Sequence, residues 1–376
     1  MCGLENAITE AKCLLAENNV QEALRRLKPF RKSLKAENSK NVALQQVFAE
    51  AYLEAGKVDK AYPLLTQACE LDSDGRAGGS QKFFTLGQIM GGGQGIQLLM
   101  QGIESVSAIA GEMLQAEQAD MIVRGLLSMI EIWMTDLCME PNAEAQCEEL
   151  ISKAMEVSDD KSPEVWSMLG SIRISQQRFL EAASAFASSW KFFQEKKESI
   201  EANLHNGRGT FADFVELLQP LLSLAKMCIE LGIYDLSLEI LAAVRDIDED
   251  NLEGYYLEGF SHYMICKRQQ FAALNPGVVI TAANAYEFNE NLQQQQLSLD
   301  HEPTQSNIRE ARIALTMLEK LAENRNDIDD VIQELLSGAR VILPEIGGRV
   351  DVRELNDIRK GEEVDDEEEV DLELKV

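Results

Sequence analysis

Residues 163–186 read PEVWSMLGSIRISQQRFLEAASAF. Counted from Pro163 as position 1, Trp166 stands at 4, Leu169 at 7, Gly170 at 8, Ala182 at 20 and Phe186 at 24. Positions 4, 7, 8 and 11 recur at the helical period, so they share one face of a first helix. Gly170 and Ala182 are small enough to let a second helix approach closely, and Trp166 and Phe186 supply the bulk that fills the space around the contact. The segment 174–179 (ISQQRF) between them is polar in its middle, as a turn between two helices should be. The stretch therefore predicts a packed helical hairpin.

The same spacing returns along the chain. In 42–73, Phe48, Ala49 and Tyr52 take positions 7, 8 and 11, and Ala61, Leu65 and Ala68 take 20, 24 and 27. Ala23 and Leu27 play the second-helix role in an earlier unit. Phe83, Leu86 and Gly87, then Gly95, Leu99 and Gly102, make a third with a shortened glycine-rich turn. Cys147, Ile151 and Ala154 mark a fourth second helix, and 163–186 is the fifth unit. Leu221, Leu224, Ala225 and Leu241 make a sixth. Tyr255, Gly259 and His262 open a seventh, which Ala311, Leu315 and Leu318 close. This code resembles the tetratricopeptide (TPR) repeat, a two-helix unit of about 34 residues whose copies stack and bury a continuous core. The expected fold is all-α: a right-handed superhelical solenoid of about seven TPR-like helix pairs over 1–340. A C-terminal extension, 341–376, follows, with an acidic tail at 361–376 expected to be disordered.

Two stretches break the helical pattern. Residues 73–81 (SDGRAGGSQ) read as a flexible loop. Residues 274–305 interrupt the seventh pair with Asn275-Pro276-Gly277, four consecutive glutamines and Pro303. Loops of that length are usually functional or disordered, and a loosely held excursion is expected.

Charge is the second strong signal. Thirty-five Lys and Arg against 64 Asp and Glu give −29. The last sixteen residues carry −8, so the other 360 still carry −21. Such a body repels phosphate backbones at long range and favours a basic polypeptide partner. No direct nucleic-acid binding is expected. No apolar run is long enough to span a bilayer, so no membrane partner is expected either. Seven cysteines, an odd number, sit mostly on apolar helical positions and suit reduced thiols.

Catalytic patterns are missing. Gly91-Gly92-Gly93-Gln94-Gly95 follows a helix rather than a strand and lacks the Lys-Ser/Thr of a phosphate loop. His205, His262 and His301 are scattered, and no Gly-x-Ser-x-Gly occurs. The expectation is a binding protein, not an enzyme, with no catalytic residue, cofactor or metal. In TPR stacks, positions 2, 5, 9, 12 and 13 of each first helix line the concave groove. Those positions hold Glu50, Glu54, Glu164, Glu230, Glu253, Tyr256, Phe260 and Tyr263. TPR co-chaperones that grip acidic C-termini carry Lys and Asn where this chain has Ile8, Lys12, Gln46 and Glu50, so that function is not expected. An acidic groove with aromatic patches suits a basic, extended ligand.

The segment 129–141, MIEIWMTDLCMEP, departs from TPR consensus. With 83–88 (FFTLGQ) and 171–176 (SIRISQ), it resembles the family of TPR chaperones dedicated to large-subunit ribosomal protein four. The layout matches too, with several TPRs, a long late insertion and an acidic tail. The resemblance marks Trp133, Asp136 and Glu140 as family positions, and these join the client-binding set together with Glu131 of the same segment. It implies a chaperone that captures the basic ribosomal protein by its long internal loop and escorts it to nuclear pre-ribosomes. It further implies a protein found in cytoplasm and nucleus; an import receptor reached through the client is expected, and the acidic surface, which discourages self-association, suits a monomer. The other reading the residues allow is a TPR scaffold subunit of a different multiprotein complex.

Overall fold

A computed structural model describes residues 2–111, 113–325, 328–351 and 355. Sixteen α-helices and no strand occur among the described residues. The chain divides into two compact units, Met1–Met168 and Leu169–Val376.

The first unit pairs α1 (Cys2–Ala16) with α2 (Val20–Leu27), and α3 (Val42–Glu54) with α4 (Val58–Leu71). It continues with α5 (Gln81–Met90) and α6 (Gly92–Ala110), then α7 (Ala116–Met134) and α8 (Ala143–Val157). Two short 3-10 turns, Lys28–Phe30 and Ser33–Lys35, fill the step from α2 to α3. α9 (Pro163–Ser175) runs across the division, and α10 (Phe179–His205) follows it. The second unit then pairs α11 (Ala212–Glu230) with α12 (Tyr234–Ile247), and α13 (Leu252–Leu274) with α15 (Gln305–Glu323). Between the last two lies α14 (Ala285–Gln294), and α16 (Asp330–Glu345) closes the described chain. The expected edge of the repeats at 340 thus falls inside α16.

One turn chemistry serves four of the hairpins. At Asn18, Gly56, Gln177 and Gly232 the second residue after the first helix is left-handed, with φ of 57°, 68°, 58° and 69°. Each is followed by a backbone N–H that reaches back five residues, as Lys57 does to the Tyr52 carbonyl at 2.7 Å and Arg178 to that of Arg173 at 2.8 Å. This is the Schellman closure, which satisfies the last carbonyls of the helix and turns the chain back. Three helix starts are capped by Asn or Asp: Asn41 accepts from the Leu44 N–H and Asn251 from that of Gly254, both at 2.9 Å, and Asp329 from that of Ile332 at 2.8 Å.

The small residues of the code do what their spacing requires. A Cβ at Gly170 would lie 2.2 Å from Cε1 of Phe186, whose ring is fully buried. A Cβ at Gly259 would lie 2.6 Å from Leu315, so α13 and α15 touch at that point.

Both irregular stretches differ from expectation. The 73–81 segment is pinned by Asp72, whose carboxylate accepts the N–H groups of Ala77 (2.9 Å) and Gly78 (2.7 Å) and pairs with Lys82 Nζ (2.7 Å). The 274–305 insertion is packed on α13. Leu292 of α14 is buried with Tyr234, Met264 and Ile265, and Phe288 meets Phe271 at 5.6 Å between ring centres. Gln270 of α13 donates to the Gln296 carbonyl and accepts from the Ser298 N–H, both at 2.7 Å. Lys267 donates to the Gln295 carbonyl. The glutamine run looks unstructured because its order comes from backbone groups held by side chains on another helix. The expected disorder of 361–376 lies outside the described residues.

Candidate functional site: an acidic trough in the first unit

The first helices of successive pairs lie side by side, and their free faces form a trough. One recess of about 540 Å³ is lined by Lys12 of α1, Gln46, Glu50 and Glu54 of α3, and Gln81 and Thr85 of α5. A second, about 320 Å³, is lined by Gln81, Phe84 and Gln88 of α5, and by Glu117, Asp120 and Arg124 of α7. Gln81 borders both, so the two recesses are neighbours. Helical spacing explains the membership, since 50 and 54, and 117, 120 and 124, recur on one face.

Two polar ties fix the walls. Gln46 donates to the Gly78 carbonyl at 2.8 Å, and Gln88 to the Ser128 hydroxyl at 2.7 Å. The Lys82 ammonium also sits 4.3 Å from the Phe83 ring centre and donates to the Gly79 carbonyl. Burial pushes the Asp72 carboxyl up, but the hydrogen bond from Lys82, the two backbone N–H groups and the Lys82 charge together hold it below the usual range.

The trough is electronegative. Glu50, Glu54, Glu117 and Asp120 line it against the exposed cations Lys12 and Arg124, because Lys82 is committed to Asp72. Burial in the recess raises the Glu50 carboxyl, Lys12 draws it back and Glu54 adds to the rise. Glu50 and Glu54 are thus brought together as their spacing predicts. Glu117, Asp120 and Arg124 were missed, although the i, i+3, i+7 recurrence on α7 was there to be read.

The remaining sequence-derived residues have diverse settings. Trp133 is half-buried near the end of α7, and its indole N–H is buried without a hydrogen-bond partner. Asp136 accepts the Gly92 N–H at 2.7 Å, at the start of α6. A Cβ at Gly91 would lie 2.3 Å from the same carboxylate, which accounts for the glycine-rich turn beside it. Glu131 and Glu140 are exposed, and burial of its surroundings raises the Glu131 carboxyl. Glu164 accepts from the Ser162 hydroxyl at 2.9 Å.

In the second unit, Glu230 is exposed and Glu253 pairs with Lys226 at 2.6 Å. Tyr256, Phe260 and Tyr263 do form a row along α13, with ring centres 6.1 and 6.4 Å apart. The row is covered by α16. Tyr256 packs on Gly338, where a Cβ would lie 2.5 Å from the tyrosine hydroxyl. Tyr263 donates to Glu345 at 2.5 Å, and Glu345 also pairs with Lys267 and accepts the Leu297 N–H. These aromatics join α13 to α16 instead of standing open, because α16 has no counterpart in the repeat code that would announce it.

Stacked helix pairs whose first helices border a polar trough define a TPR-like fold. Among the described residues no group of His, Cys, Asp and Glu could hold a metal ion, and no helix is long and apolar enough to cross a membrane. Residues 250–374 match the family model of the ACL4 C-terminal domain. The chain is similar to a probable assembly chaperone of rpl4 from Schizosaccharomyces pombe, at 27% identity over 60% of this chain and 64% of that one. It is likewise similar to a probable assembly chaperone of rpl4 from Emericella nidulans, at 30% identity over 56% of this chain and 52% of that one. The matches thus span less than two thirds of either relative's length. A solved structure of an assembly chaperone of RpL4 (Acl4) has the same fold, with a TM-score of 0.55 and 24% identity over 72% of this chain and 99% of that one. The family likeness thus covers the C-terminal third, and the two relatives are named as probable assembly chaperones.

Proposed function

We propose that this protein is a dedicated chaperone for large-subunit ribosomal protein four. It holds the basic internal loop of that protein and delivers it to nuclear pre-ribosomes, passing between cytoplasm and nucleus as a monomer with an import receptor bound through the client. The observation that carries the reading is the trough, where four carboxylates line recesses with only two exposed cations, in a chain similar to relatives named for that client. A basic segment laid along α3, α5 and α7 would exchange many weak charge contacts, each about 0.2–1 kcal/mol where exposed. Glu131, Glu140, Glu164 and Glu230 would extend the acidic surface beyond the trough, and the half-buried Trp133 ring would add apolar contact.

Affinity capture with mass spectrometry, at low and raised salt, tests this. One basic ribosomal protein should dominate and fall away as salt rises. A salt-insensitive set of unrelated partners would favour the scaffold reading instead. Glu50→Lys, Glu54→Lys and Asp120→Lys together should abolish capture, and unchanged capture would move the client off this trough. Asp136 is left alone in that set because its change would disturb α6.

A further inference from the structure

Residues 25–40, RRLKPFRKSLKAENSK, hold seven cations and one acid, Glu37, in a chain whose net charge is −29. All seven cationic side chains are exposed. Arg25 and Arg26 pair with Glu22 at 3.1 Å, and Arg26 also reaches Glu10 at 3.7 Å. Lys28, Arg31, Lys32, Lys35 and Lys40 form no ion pair among the described residues.

The backbone organises these charges. Leu27, Arg31 and Lys32 are all in the right-handed helical region, so α2 runs on through the two 3-10 turns. Leu27, Phe30 and Leu34 point into the core with Leu44, Val47 and Phe48. Lys28, Arg31, Lys32 and Lys35, at i, i+3, i+4 and i+7, therefore share the outer face. At about 1.5–2 Å per residue the stripe is about 11–14 Å long. It is held rigidly: Ser33 Oγ donates to the Phe30 carbonyl at 2.7 Å, Asn38 donates to Ser33 Oγ at 2.8 Å, and the Ser39 carbonyl accepts from Gln45 (2.7 Å) and Gln67 (3.2 Å).

We propose that this stripe is a docking surface for the phosphate backbone of structured RNA. Two observations favour RNA over an acidic polypeptide. No large hydrophobic side chain is exposed between residues 25 and 40; peptide interfaces rely on buried apolar or aromatic anchors, which a phosphate backbone does not need. The cations are also carried on an ordered backbone, which a structured phosphate backbone can meet without ordering itself further, whereas an acidic peptide would have to freeze its backbone to follow them. The acidic bulk opposes approach from afar, but charges screen over about 8 Å at physiological salt, so contact is decided by the stripe. The inference goes beyond the client reading, and its test uses no client.

The full chain is titrated against a fluorescein-labelled RNA hairpin by anisotropy, from about 50 to about 200 mM salt. Binding should weaken with a log–log slope of about −3, near −0.7 to −0.9 for each phosphate neutralised by four cations. Lys28→Gln, Arg31→Gln, Lys32→Gln and Lys35→Gln together should lower affinity at least tenfold and flatten the slope. The same neutralisation at Lys57, Lys60, Lys153 and Lys191 should change little. An unaltered melting profile will show that the exposed substitutions leave the fold intact. No RNA binding by the wild type at the lowest salt overturns the proposal. So does a stripe variant that binds as well as the wild type, or a poly-glutamate peptide that binds the stripe as tightly as the hairpin.

Discussion

Replacing Lys82 by Met should be among the most damaging changes in the first unit. The Lys82 and Asp72 side chains are 0% and 3% exposed, and their charges meet at 2.7 Å. Methionine nearly matches the lysine stem in volume, so the core is not emptied. What is lost is the counter-charge, the donor to the Gly79 carbonyl and the contact with the Phe83 ring. Asp72 would stay buried with only the Ala77 and Gly78 N–H groups as partners. Breaking a buried pair on one side costs about 3–5 kcal/mol; the surviving backbone bonds point to the lower half of that range. Urea unfolding at neutral pH measures it, and hydrogen exchange at Ala77 and Gly78 should quicken in step. The double change Asp72→Asn with Lys82→Met removes the stranded charge and should recover at least half the loss. The pH dependence follows from the lowered Asp72 pKa. A depressed carboxyl stabilises above its unfolded value of about 3.9 and loses that contribution as pH falls through the folded value. The wild type should therefore lose stability on acidification below about pH 4, and the double variant should lose less. A Lys82→Met cost under about 1 kcal/mol, the size of an exposed pair, would refute the account of this pair as the pin of the 73–81 loop.

Three further outcomes follow from the repeat geometry. Gly170→Ala places a methyl carbon against the enclosed Phe186 ring, so it should destabilise by about 1–3 kcal/mol in urea despite better helix propensity; Phe186→Leu in the same chain should relieve part of that cost. Gln177→Gly should stabilise by about 0.5–1 kcal/mol, because Gln177 holds φ of 58° where glycine carries no Cβ penalty, and a lower melting temperature would contradict this. Burial pushes the Cys228 and Cys266 thiols up to about 12 and Cys69 to about 11. Alkylation at pH 8 followed by peptide mapping should therefore label exposed Cys13 and Cys138 well before those three.

What the amino-acid sequence determined by itself was whatever local period and composition encode. The helix pairs came from Gly170, Ala182, Phe186 and their counterparts, which are buried at fixed spacing; Trp166, expected beside them, is only half-buried and donates its indole N–H to the Asp160 carbonyl. The acidic character, and Glu50 beside Glu54, came from counting and from helical register alone. The tertiary structure decided what depends on partners far apart in the chain. It took Asp136 to the start of α6 and folded α16 over Tyr256 and Tyr263. It ordered the glutamine run through Lys267 and Gln270, and set the recess of Glu117 and Asp120 next to that of Glu50 and Glu54, with Gln81 bordering both. No periodicity announces such meetings. They are made by hydrogen bonds and charges whose two halves lie 26 to 82 residues apart, and the chain reveals them only once the stacked helices bring those halves within reach.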